Sequence, residues 1–144
     1  MACMNASPLA RARSFLFVPA NRPERFLKAI GSGADAVILD LEDSVPLQDK
    51  DAARDTVAQA LATLPADACV LVRINSPQTP AGARDVQVLA GCAGLSGLMV
   101  PKCESTGDLQ LAAQAMPGVP LLPIIESAAG YLACLLYTSD AADE

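Results

Sequence analysis

The chain has 144 residues, 52% of them apolar, and 16 acidic side chains against 10 basic ones give a formal net charge of −6. That is enough apolar chain for one small domain with a core, and a negative balance with 3% aromatics argues against a nucleic-acid surface of basic patches and stacking rings. Histidine is absent, which removes Ser-His, Cys-His, His-metal and imidazole acid–base chemistry from within the chain. No apolar run approaches the ~18–20 residues that cross a bilayer. The apolar stretch after Arg11 and Arg13 is too short for a secretory signal. Cys3, Cys69, Cys92, Cys103 and Cys134 are odd in number, widely spaced and free of any C-x-x-C pair. Reduced, mostly buried thiols in a cytoplasmic protein with no membrane partner are therefore expected.

In chain order, short apolar runs alternate with Ala-rich amphipathic stretches. Strands are expected at Ser14–Pro19, Ala36–Leu41, Cys69–Ile74, Gly97–Val100 and Leu121–Ile125, most of them near-continuous apolar runs suited to a sheet buried on both faces. Helices are expected at Pro23–Ser32, Gln48–Leu64, Asp85–Ala93 and Thr106–Met116. Asn21 can cap the first of these, with Gly31 and Gly33 at its end. Asp49 or Asp51 opens the second, whose stripe is Ala53, Val57, Ala60, Leu61 and Leu64 before Pro65. Ser105 can cap the fourth, which Pro117-Gly118 ends.

Strict βα alternation predicts an α/β fold with a parallel sheet. The first turn reads Pro19-Ala20-Asn21-Arg22-Pro23, and neither G-x-G-x-x-G nor a P-loop signature occurs. A (β/α)8 barrel of the TIM type is favoured, in an incomplete form of about five βα units, because eight units need about 250 residues. Residues 1–130 read as the N-terminal part of such a barrel. Residues 131–144, ending Leu135-Leu136-Tyr137-Thr138-Ser139-Asp140-Ala141-Ala142-Asp143-Glu144, read as a non-native tail. A genuine fifth helix is the other reading of that tail.

Reactive groups in parallel α/β folds collect at the carboxyl ends of strands. Each expected strand here hands over to polar groups: Asn21, Arg22 and Arg25; Asp40, Glu42 and Asp43; Arg73 and Asn75; Lys102 and Glu104; and Glu126. Alternation puts Asp40 and Glu42 on one face of an extended segment and Asp43 on the other. Oxygen donors without His or Cys select a hard ion such as Mg²⁺, although the same acids would serve as caps or ion-pair partners. Arg73 suits a carboxylate or carbonyl ligand, or an acid on a neighbouring strand. Asn75 suits the same ligand or a turn. Lys102 could form a Schiff base, but Glu104 and the surrounding acids would keep its ammonium charged. Arg22, Arg25 and Lys28 suit a phosphate-bearing ligand or a solvated basic face.

Five segments together resemble one family. Ser14-Phe15-Leu16-Phe17-Val18-Pro19-Ala20-Asn21-Arg22-Pro23, Leu39-Asp40-Leu41-Glu42-Asp43-Ser44-Val45-Pro46, Val72-Arg73-Ile74-Asn75, Val100-Pro101-Lys102-Cys103-Glu104-Ser105 and Ile124-Ile125-Glu126-Ser127-Ala128-Ala129-Gly130 look like the citrate lyase β-subunit family. This family sits within the malyl- and citramalyl-coenzyme A lyases and related aldolases. The resemblance implies a Mg²⁺-dependent barrel lyase that cleaves a 3-hydroxyacyl thioester, on coenzyme A or acyl carrier protein, into an acyl thioester and an oxo acid. It implies Glu126 as a direct metal ligand that also faces substrate, and Arg73 on the oxo acid with Asn75 beside it. Glu42 and Asp43 would hold metal-bound waters, and Arg22, Arg25 and Lys28 would lie near coenzyme A phosphates. A second carboxylate ligand is implied about one βα unit beyond Glu126; Asp140 and Asp143 follow no apolar strand and do not replace it. The expectation is thus a homo-oligomeric lyase of which this chain is an inactive part. A 2-oxo-acid aldolase of the same superfamily and a non-catalytic acyl-thioester-binding protein are the alternatives.

Overall fold

A computed structural model describes residues 7–140, with side chains through Cys134. Cys3 and residues 141–144, Asp143 among them, lie outside the described residues, as does the side chain of Asp140. Five parallel strands pair in chain order: β1 (Phe15–Pro19), β2 (Ala36–Asp40), β3 (Val70–Arg73), β4 (Gly97–Val100) and β5 (Leu121–Pro123). The helices are α1 (Pro8–Arg11), α2 (Phe26–Ile30), α3 (Lys50–Leu61), α4 (Pro80–Leu89), α5 (Thr106–Ala115) and α6 (Ala128–Asp140).

The two faces of the sheet are unlike. Val37, Leu39, Val70, Val72, Leu98 and Val100 pack with Phe26, Val57, Leu61, Val86, Leu89 and Ala112 from α2, α3, α4 and α5 in one main core. The alternate residues Ala36, Ile38 and Leu71 form a smaller patch with Leu9, Ala12, Met99 and Leu122. The crossover helices α2–α5 gather on one face of a sequentially ordered parallel sheet, and only the one-turn α1 reaches the other, through Leu9. That is the layering of a (β/α)8 barrel wall, whereas a doubly wound fold has crossover helices on both faces. By the same alternation Asp40 belongs to the face of Ala36 and Ile38, and Arg73 to that of Leu71.

Element boundaries shift where local chemistry overrides periodicity. The expected Asp85–Ala93 helix instead starts at Pro80, because Thr79 caps it through the Gly82 N–H at 3.1 Å and proline occupies the first turn. Asn21 is not a cap. A 3-10 turn, Pro23–Arg25, leads into α2 with Arg22 at the cap position, and Pro23 has no N–H for a cap to satisfy. Another 3-10 turn, Leu47–Asp49, precedes α3. Ser105 does open α5: the Asp108 carboxylate accepts from the Ser105 and Glu104 amides at 3.0 and 3.1 Å. The backbone stays helical from Ala128 to Asp140. No helix among the described residues is long and apolar enough to cross a membrane.

Cys69, Cys92 and Cys103 carry free thiols; only Cys103 is fully buried, and the other two are half-buried. Burial pushes the Cys103 thiol up to about 11, helped by the negative charge of Asp108. In native protein at pH 8, Cys103 should react with iodoacetamide on the order of 100-fold more slowly than an ordinary exposed thiol. Mass-spectrometric mapping of timed alkylation reads this directly.

Candidate functional site

The site grows from strand register. Asp40 and Arg73 are the last residues of β2 and β3 and stand opposite one another. Arg73 Nε and Nη2 each donate to one Asp40 carboxylate oxygen at 2.7 Å, a two-pronged pair beneath the rim. Arg73 Nη1 lies 3.2 Å from Glu42 Oε2 and 3.8 Å from Asp43 Oδ2, and its guanidinium sits 5.0 Å from the Phe17 ring centroid on β1. Asp43 is therefore not on the opposite face from Asp40 and Glu42, as simple alternation had it. The chain leaves extended geometry after Asp40 and turns, with the Glu42 and Ser44 amides donating back to the Asp40 carboxylate at 2.9 and 3.2 Å.

Lys102, two residues past the end of β4, closes the cluster. Its ammonium donates to Glu42 Oε1 at 2.7 Å and lies 3.8 Å from Asp43, and the bond to Glu42 raises its pKa above the ordinary lysine value. The ammonium is thus held charged by Glu42 and Asp43; Glu104, expected in that role, instead accepts from Ser127 Oγ at 2.7 Å. Lys102 has φ +51°, a left-handed conformation costing a side-chain-bearing residue about 1–2 kcal/mol. That backbone aims its N–H at Glu126 Oε1, 2.8 Å away.

Buried Glu42 is attached on one oxygen only. Oε2 is enclosed and makes no hydrogen bond, although Arg73 Nη1 is near enough for an ion pair. The approach has the distance of a salt bridge without the direction of a hydrogen bond. Lys50 donates to the carbonyls of Leu41 and Glu42, both at 2.7 Å. Burial pushes its pKa below the usual lysine value against the attraction of Asp85, Asp40, Glu42 and Asp43. Asn75 is buried, and its Nδ2 donates to Leu41 O and Asp85 Oδ2 at 3.1 and 2.7 Å. Both amide hydrogens are thereby spent within the protein. Arg25 and Lys28 line an open groove of about 620 Å³ with Leu16 and Phe17, while Arg22 pairs with Glu24 at 3.0 Å.

Burial alone would raise the Asp40 carboxyl, but hydrogen bonds from Arg73, Ser44 and the Glu42 amide hold it below the ordinary carboxylate range. Burial likewise opposes ionisation of Asp108, and bonds from Gln78, Glu104 and Ser105 outweigh it. Both folded values are depressed, so both contributions are complete above the unfolded value of about 3.9 and are lost as pH falls through the folded one. Asp108→Asn should cost about 1 kcal/mol at pH 7. The gap from wild type should narrow as pH falls below the unfolded value of about 3.9 and close once it is below the lowered folded one. Thermal unfolding of both proteins from pH 7 down to pH 2.5 measures it.

The implied Mg²⁺ is matched in kind by this oxygen-rich rim. In number the match is partial. Glu126 could offer one carboxylate, and no group of three His, Cys, Asp or Glu residues converges on a metal position among the described residues. Magnesium commonly takes one or two carboxylates and completes its shell with waters and substrate oxygens. The orphaned Glu42 Oε2, beside a guanidinium, suits an outer acceptor for such waters better than direct ligation.

A sequentially ordered parallel sheet, crossover helices on one face and a charged rim where the strands end define an α/β protein of the (β/α)8-barrel kind. The chain belongs to the HpcH/HpaI aldolase/citrate lyase family, whose model matches residues 13–132. It is 44% identical over 124 residues to a citrate lyase subunit beta-like protein of Mycobacterium tuberculosis, covering 84% of this chain and 41% of that protein. It is 37% identical over 121 residues to a (3S)-malyl-CoA thioesterase of Cereibacter sphaeroides, covering 83% of this chain and 42% of that one. The crystal structure of M. tuberculosis CitE with magnesium, acetoacetate and coenzyme A superposes with a TM-score of 0.72 at 38% identity, covering 85% of this chain and 43% of that one. The chain thus spans less than half the length of these relatives.

Proposed function

We propose that the protein to which this chain corresponds is a Mg²⁺-dependent carbon–carbon lyase. It would cleave a 3-hydroxyacyl thioester such as citryl-, citramalyl- or malyl-CoA, or the carrier-protein equivalent, into an acyl thioester and an oxo acid. The observation that carries the reading is the cluster of Arg73, Asp40, Glu42, Asp43 and Lys102 at adjoining strand ends, with Glu126 one backbone bond from Lys102. Such a rim offers anion recognition and oxygen donors without histidine.

In this reading Asp40 occupies two Arg73 nitrogens and turns Nη1 toward the oxo-acid carboxylate or carbonyl, where a fixed positive charge stabilises oxygen that gains charge. Glu42 and Asp43 orient water, with Glu42 Oε2 as the acceptor still lacking a hydrogen bond. When bound at Glu126, Mg²⁺ would supply Lewis-acid stabilisation of the same developing charge. Asn75 supports the rim from below. Arg25 and Lys28, with Arg22 nearby, would meet the phosphates of coenzyme A along the groove beside β1. A second carboxylate ligand would come from beyond Glu126, so the 144-residue chain by itself should not turn over. The whole protein would be a cytoplasmic homo-oligomer.

The Cereibacter sphaeroides relative is named a thioesterase, which favours a second reading: hydrolysis of the thioester at the same rim. Incubating the parent-length protein with malyl-CoA and Mg²⁺ separates the two. With citryl- and citramalyl-CoA run in parallel, an oxo acid with acetyl-CoA from any of the three supports the lyase; free coenzyme A thiol with the hydroxy acid supports the hydrolase; no product of either kind from all three overturns both.

A further inference from the structure

Behind the rim, buried polar groups gather at a place the chemistry above leaves unused. Asp85, on α4, is fully buried. Its Oδ1 accepts from Arg54 Nε at 2.7 Å, and Arg54 is itself buried on α3. Its Oδ2 accepts both the Asn75 amide N–H at 2.8 Å and Asn75 Nδ2 at 2.7 Å. From there Asn75 Nδ2 reaches Leu41 O, which with Glu42 O also receives the Lys50 ammonium.

Leu41 and Glu42 form an irregular, buried stretch just past the end of β2, where ladder bonding gives out. A buried backbone must find partners for every N–H and C=O, and here each partner is identifiable. Leu41 N–H donates to Arg73 O at 2.9 Å and Glu42 N–H to Asp40 Oδ1 at 2.9 Å. The Leu41 carbonyl is held by Asn75 and Lys50, and the Glu42 carbonyl by Lys50 and by the Val45 N–H at 3.3 Å. Every N–H and C=O of the stretch that carries the Glu42 side chain is thus engaged. Stability alone does not explain the arrangement, since well-packed apolar residues usually replace a buried ion pair at little or no cost. Its distinctive yield is geometric.

We infer that Asp85, Asn75 and Lys50 are positioning residues, which act through the Leu41 and Glu42 carbonyls to fix the Glu42 carboxylate between Arg73 and Lys102. Arg54 completes the set by holding Asp85. The order of action runs from helix to rim: α4 places Asp85, Asp85 orients the Asn75 amide, and Asn75 and Lys50 grip the peptide. Asp85 must present two acceptor oxygens at once, to Arg54 and to Asn75. An asparagine has only one, so Asp85→Asn breaks one link whichever way its amide turns. Calling the set positioning for lyase chemistry rests on the function proposed above; the placement of Glu42 does not.

The test needs no ligand and no turnover. Amide hydrogen exchange in the ¹⁵N-labelled 144-residue chain is followed at Glu42 and at Leu39, which lies within β2. Asp85→Asn, Asn75→Ala and Lys50→Met should each speed Glu42 exchange at least tenfold more than Leu39 exchange, and Lys50→Arg should restore most of the protection. The reference is Leu89→Ala, one turn along α4 from Asp85 and outside the network, which should speed the two amides by similar factors. Equal acceleration of Glu42 and Leu39 in all three network variants would overturn the inference and leave a merely structural role. Should Asp85→Asn fail to fold, Lys50→Met at its half-buried position carries the same decision. Failure of the lyase assay with selective Glu42 exchange intact would count against the function alone.

Discussion

Arg73→Met should lower the unfolding free energy by about 3–5 kcal/mol and abolish any stabilisation by oxo acids. The size follows from what is left behind. Asp40 is 2% exposed, and the variant leaves its carboxylate without an ion-pair partner in contact, held by the Glu42 and Ser44 amides. Arg73→Lys should recover little, because an ammonium cannot make the paired contact to both Asp40 oxygens. Asp40→Asn combined with Arg73→Met should regain most of the lost stability, since no buried charge is then unpaired. Binding should not return with it. Urea unfolding of the four proteins, each with and without oxaloacetate and Mg²⁺, separates the structural share of Arg73 from its share in recognition. A double variant as unstable as Arg73→Met would mean that packing against Phe17, rather than the charge pair, carries the cost.

Much of this was legible in the sequence because strands and helices here follow burial closely. The apolar runs at Ala36–Asp40 and Gly97–Val100 lie where periodicity puts them, and the polar residues following them mark the strand ends. Registers were not legible, and the site depends on register. That Asp40 faces Arg73 across a ladder is settled by which residues of β2 and β3 pair, a matter of two strands some thirty residues apart. The turn after Asp40 escaped for a related reason. Strict alternation applies only while the backbone stays extended, and the Asp40 carboxylate itself pulls Glu42 and Ser44 out of that geometry. In sequence Lys102 stands beside Glu104, the acid expected to keep its ammonium charged, yet its partner is Glu42, sixty residues away. Asp85 gave no signal at all as a site residue, being one acid in an expected helix. The Thr79-Pro80 pair, by contrast, is a readable helix start, and it would have placed α4 correctly.

That early start of α4 leads to the other large expected effect. Gly82 lies in the first turn of α4, where an exchange of glycine for alanine ordinarily stabilises a helix by about 1 kcal/mol. Here the sign should reverse. A Cβ on Gly82 would overlap the carbonyl of Ser76 and crowd the carbonyl oxygen of Asn75, and these are backbone atoms that no rotamer change can move aside. The helix can enter so close to the β3–α4 loop only because this residue has no side chain. The close approach in turn lets Asp85, one turn further on, reach both Asn75 nitrogens. Gly82→Ala should therefore cost about 1–3 kcal/mol as overpacking, and the displaced loop should release Asn75 and loosen Glu42. Gly91→Ala provides the contrast, because nothing lies within 4 Å of its added Cβ, and it should change stability by no more than about 0.5 kcal/mol. Thermal unfolding gives the two stabilities, and exchange at the Glu42 amide shows whether the loop moved. A stabilised Gly82→Ala would mean that α4 has room to withdraw from the loop, and that its tight seat is not what holds Asn75 in place.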